Sequence, residues 1–93
     1  MLLLYYFNWS GSPEEFKEYA GRMKGIINEA EGIEFSGFFV PISEWHYVLV
    51  TKAEGYEKFL QAMKTYFEKF GWSKTSLAKL EILHTFAELG LKE

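Results

Sequence analysis

Residues 43–50, Ser-Glu-Trp-His-Tyr-Val-Leu-Val, have the composition of a β-strand, with apolar or aromatic side chains on both of its faces. Successive side chains of a strand point to opposite sides. Trp45, Tyr47 and Leu49 therefore share one face, and His46, Val48 and Val50 share the other. A small antiparallel sheet ordinarily leaves one face polar and wet. A strand like this one needs a cover on each side, and the fold has to supply both.

The flanking sequence supplies one cover. Residues 1–8 are an apolar run that reads as a second strand buried on both faces, followed by a turn at Trp9-Ser10-Gly11. Ser12-Pro13-Glu14-Glu15 starts a helix: Ser12 is the N-cap, Pro13 takes the first helical position and Glu15 closes a capping box. Phe16, Tyr19/Ala20, Met23, Ile26/Ile27 and Ala30 recur at helical spacing, and Gly32 is placed to stop the helix. Residues 33–40 read as a strand whose end at Pro41 suits a sheet edge, and 41–44 as a tight connection to a strand over 45–51. Tyr56, Phe59/Leu60, Met63, Tyr66/Phe67 and Phe70 form the stripe of a second helix ending at Gly71. Residues 76–86 read as a last strand, with Leu80, Ile82, His84 and Phe86 on one parity, and 87–93 as a short tail.

The order is βαββαβ over a single domain, 1–93. Right-handed crossovers turn it into a ferredoxin-like α+β fold: a four-stranded antiparallel sheet in order 4-1-3-2, with both helices on one face. Two helices cover one face only. The aromatic side chains on the other face still need a partner.

Composition narrows the chemistry. The chain has no cysteine, which removes disulfides, thiolate nucleophiles and zinc–thiolate sites. It has thirteen Glu and no Asp, nine Lys and one Arg, so neither a Ser-His-Asp triad nor a multi-arginine phosphate clamp can be built within one chain. The Glu/Lys enrichment points to a heat-adapted source. A net charge of −3 steers the chain away from nucleic acid and anionic lipid. The start, MLLLYYFNW, lacks a basic n-region and a small-residue cleavage site and is too short to span a bilayer, so no membrane association is expected and a cytoplasmic location is the default.

By element order, by length and by strands 35-FSGFFV-40 and 45-WHYVLV-50, the chain resembles the dimeric α/β-barrel superfamily over essentially its whole length. That resemblance implies a homodimer pressed together through the open sheet faces, with a small-molecule pocket in each half. Cofactor-free enzymes are among the members, so no cofactor is implied. Haem chemistry is not implied either, because the haem degraders carry their histidine on a helix and both histidines here fall on expected strands. Other users of the same plan fit less well. An RNA-recognition fold wants basic residues on strand 3, where none precedes Lys52. A metal chaperone wants a Cys pair, and an acylphosphatase-like cradle wants an Arg after strand 1. A regulatory, amino-acid-binding domain stays open.

Topology also sorts the candidate site residues. His46 begins strand 3 and His84 lies near the end of strand 4, so they sit at opposite ends of the sheet and form no common metal site. The end of strand 1 (Asn8, Trp9), the start of strand 3 (Glu44, Trp45, His46) and the approach to strand 4 (Trp72) share one end, beside the amides that open the first helix. Aromatic walls with a few polar groups make a small-ligand pocket. The expectation is therefore a homodimeric barrel binding a small apolar or aromatic compound. Asn8, Trp9, Glu44, Trp45 and Trp72 would form the pocket, and His46, the catalytic candidate, or Glu44 would be able to move a proton. The alternative is a non-catalytic regulatory or oligomerisation domain. His84, Tyr5, Tyr6 and Tyr47 read as core or interface residues.

Overall fold

The computed structural model describes residues 1–91. Its elements are β1 (Leu2–Trp9), α1 (Pro13–Glu29), β2 (Ile33–Phe39), β3 (Tyr47–Ala53), α2 (Tyr56–Phe70) and β4 (Thr75–Leu83). The strands form one antiparallel sheet in the order β2-β3-β1-β4, the expected ferredoxin-like arrangement read from its other edge. Leu3, Tyr5 and Phe7 of β1 and Leu49, Thr51 and Ala53 of β3 are buried beneath the helices. Leu4 of β1 stands opposite Val50 of β3, and Tyr6 opposite Val48, on the face that carries no helix.

The helix start forms as its sequence dictates. The Ser12 hydroxyl accepts from the Glu15 amide at 3.1 Å, and the Ser12 amide donates to Glu15 Oε1 at 3.0 Å. The helix ends earlier than expected, at Glu29, with the Ala30 amide bonded back to the Ile27 carbonyl. Gly32 instead makes the turn into β2 with φ of 78°, where a side chain would be strained.

Three other boundaries shift for identifiable reasons. In β2 a bulge at Ser36 places both Phe35 and Phe38 opposite helix-facing residues of β3, so strict alternation fails there. β3 starts at Tyr47 because the His46 amide donates to the Asn8 side chain at 2.9 Å. β4 stops at Leu83, and His84 and Phe86 lie beyond it. Thr85 and Glu88 form a reciprocal pair that opens a helical turn, with Thr85 Oγ1 accepting from the Glu88 amide at 3.1 Å and Glu88 Oε1 from the Thr85 amide at 2.9 Å. Neither histidine lies on a strand.

Rings dominate the core beneath the helices. Phe7 lies against Tyr5, Phe16, Tyr19, Phe38 and Tyr47, and Phe16 stacks flat on Tyr47 at 3.8 Å. On α2 only Phe59, Ala62 and Tyr66 are buried, while Tyr56, Leu60, Phe67 and Phe70 keep large exposed areas. Its apolar stripe is wider than the surface that one copy of the chain covers.

The Glu15 carboxylate gives a test by pH. It accepts from Lys74 Nζ at 2.5 Å and from the Ser12 amide, and these two bonds hold its pKa down to about 2, from an ordinary value near 4.5. A depressed folded pKa adds stability above the unfolded value, and this is lost as pH falls through the folded one. Glu15→Gln is therefore expected to be less stable than the parent at pH 6, with the gap closing between pH 4.5 and 2. Thermal midpoints across that range check it, and a gap independent of pH would refute the assignment.

Candidate functional site

One end of the sheet gathers most of the expected site. β1 ends at Trp9, α1 opens at Pro13, and the link from β2 to β3 arches over residues 40–46. Between them lies a cleft of about 470 Å³, lined by Trp9, Gly11, Pro13, Val40, Pro41, Ser43, Trp45, His46 and Tyr47. Among the described residues the lining carries a single titratable side chain beside the Tyr47 phenol, the imidazole of His46.

A reciprocal pair of bonds holds that imidazole. Asn8 Oδ1 accepts from the His46 amide, and the Trp9 amide donates to His46 Nδ1 at 3.0 Å. Acceptance at Nδ1 fixes the neutral ring with its proton on Nε2, because only one nitrogen of a neutral imidazole can accept. The ring is exposed, so Nε2–H is free to donate. Trp9 is itself fixed from the other side: its indole N–H donates to the Ser12 carbonyl at 3.1 Å, and its ring packs on Phe16 and Tyr19. The Trp45 amide donates to Ser43 Oγ at 3.2 Å, and its ring leans on Tyr6 with centroids 6.4 Å apart. Trp45 thus connects the cleft to the helix-free face of the sheet.

Trp9, Trp45 and His46 line the cleft together, whereas Asn8, expected in the pocket, is not in its lining and holds the His46 backbone instead. Glu44 is exposed and takes no part in the cleft. Trp72 is 89% exposed and packs against Phe67 with centroids 4.4 Å apart, on the far side of Trp9 from the cleft. Gly71, with φ of 79°, turns the chain away at that point. Pro13, Val40 and Pro41 were not anticipated as lining. Their signal was the β2–β3 link itself, which runs from 40 to 46 where a tight turn was expected.

Two of the amides expected to attract an anion at the start of α1 are already used. The Ser12 amide is bonded to Glu15, the Glu15 amide to Ser12, and Pro13 has none to offer. Glu15 is in effect the anion of that helix end. Burial pushes the Tyr5 phenol up, and burial together with nearby Tyr5 and Tyr66 pushes up that of Tyr19, so neither supplies a phenolate at neutral pH. Among the described residues no three His, Asp or Glu side chains cluster to hold a metal ion, and no helix is long and apolar enough to cross a membrane.

No protein-family model matches the chain, and no curated protein does. The class defined by its own structure is the ferredoxin-like α+β fold.

Proposed function

We propose that the chain works as a homodimer of the dimeric α/β-barrel type, which binds a small, neutral, apolar or aromatic molecule at the mouth formed by Trp9, Trp45 and His46. The observation that carries this reading is the coupling of a cleft with apolar walls to one fixed side-chain donor, His46 Nε2–H. A ligand carbonyl or hydroxyl oxygen would accept from that donor while its ring lies against the indoles. Neutrality follows from the lining, which among the described residues has no lysine or arginine, and from the Glu15 carboxylate already standing at the helix end. Asn8 acts indirectly, holding the His46 backbone in place.

A non-catalytic regulatory or oligomerisation domain is the second reading, and one observation favours it. The lone pair that base catalysis would use is taken by the Trp9 amide. Proton transfer by His46 would require that bond to break first.

A thermal-shift screen tests the site. Neutral aromatic carbonyl compounds are expected to raise the midpoint, with stabilisation of about 2.7 kcal/mol at a hundred times Kd. His46→Ala should abolish that rise while leaving a folded protein. Stabilisation by carboxylates or phosphates alone, or a rise that survives His46→Ala, would overturn the reading.

A further inference from the structure

We infer that β4 is a self-complementary edge, through which two copies of this chain pair antiparallel about a twofold axis at Leu80. This interface is separate from the helix-free face invoked above. Among the described residues β4 has β1 on one side and no strand on the other, so every second residue turns its N–H and C=O outward. The two edges of the sheet differ in their protection. β2 carries the bulge at Ser36 and runs into Pro41, features that discourage strand addition. β4 follows β1 in regular register from Leu77 to Leu83, and its one irregularity lies nearer Thr75.

The sequence of that regular stretch is Leu77-Ala78-Lys79-Leu80-Glu81-Ile82-Leu83. Placed antiparallel to a copy of itself with Leu80 opposite Leu80, it sets Lys79 against Glu81 of the other copy, twice. Leu77 then meets Leu83 on the same face, and Ala78 meets Ile82 on the helix side. Opposed side chains in such pairs stand about 5 Å apart, so opposite charges attract and apolar residues pack. Neighbouring registers lose this match. An axis at Lys79 opposes two lysines and sets Leu77 against Glu81, while an axis at Glu81 opposes two glutamates. Only one register satisfies every pair.

The surface around the strand agrees. On the helix side Ile82 is 39% exposed, and on the other face Leu77 at 60% and Leu83 at 43% stand at the sheet edge, where the pairing sets them against each other. A groove of about 530 Å³ lies between α2 and β4, with Met63, Phe67 and Ala78 in its lining. A second β4 would extend the floor of that groove and bring up a second α2, whose unburied stripe includes Leu60 and Phe67. The unused width of the α2 stripe then has a partner.

Because the chain lacks cysteine, disulfide trapping reads the register directly. Ala78→Cys/Ile82→Cys places both pairs on the helix side, away from the open face. Under mild oxidation it is expected to give a covalent dimer. Neither single variant should, since like residues lie four positions apart, about 13 Å. Adding Lys79→Glu should lower the trapped yield about tenfold by opposing like charges, and adding Glu81→Lys to that should restore it. A crosslink in either single variant, or no crosslink in the double variant, overturns the inference. The face-to-face reading is judged separately by molar mass. Four copies support both interfaces. Trapping with a two-copy mass retains the edge and rejects the face. A two-copy mass without trapping does the reverse and leaves β4 to a different partner.

Discussion

Phe7→Ala is expected to lower stability by about 3–5 kcal/mol, the range for deleting a fully buried aromatic ring. Phe7 is 0% exposed, and its ring touches partners from four elements: Tyr5 of β1, Phe16 and Tyr19 of α1, Phe38 of β2 and Tyr47 of β3. The void cannot close easily, because these neighbours are themselves held. Phe16 is stacked on Tyr47, and Tyr19 is wedged between Trp9 and Tyr66. For a domain of this size such a loss shifts the thermal midpoint down by roughly 15–25 °C. It is a large share of the roughly 5–15 kcal/mol that separates folded from unfolded chains. Ile42→Ala, at a fully exposed position of the β2–β3 link, should change stability by no more than about 0.5 kcal/mol. Thermal unfolding of both variants at one protein concentration checks the pair. A Phe7→Ala midpoint within a few degrees of the parent would refute the packing described here.

Phe7 also marks where the fold was legible in the sequence. The run at 1–8, the capping box at Ser12–Glu15 and the two helical stripes each carry a local signal of their own kind, so element order and sheet order follow. What was hidden depends on partners distant in the chain. Phe38 reads as outward when alternation is counted from Phe35, and only the bulge at Ser36 turns it inward. The side that His46 presents depends on Asn8 and Trp9, 38 and 37 residues away, whose bonds to it no local pattern specifies. Trp72 reads as a neighbour of the other tryptophans because topology gives the end of the sheet but not the direction in which Gly71 sends the chain. The end of β4 was different, since Thr85-Phe86-Ala87-Glu88 is a capping-box sequence and its signal was outweighed by the apolar alternation before it.

Val50→Glu is expected to halve the molar mass of the assembly in solution. Val50 lies on β3 opposite Leu4 of β1, on the face without helices, with Tyr6 and Val48 the next opposed pair along the strands. In the proposed face-to-face dimer, twofold symmetry places one new carboxylate from each copy in the seam. Breaking apolar contact with an uncompensated buried charge costs several kcal/mol per ion, so two should weaken association by at least about a thousandfold. The separated chain should remain folded. Val50 is partly exposed without a partner, and exchange for glutamate there removes about 1 kcal/mol of strand preference at most. Light scattering at micromolar concentration, with circular dichroism to confirm the fold, reads both outcomes. The β4 edge does not confuse the result, because removal of the face contact halves the mass whether or not the edges pair. Retention of the parental mass by Val50→Glu would show that the apolar face is not the seam. Trp45 leans on Tyr6, so separation should also loosen the indole wall of the cleft and weaken any ligand that binds there.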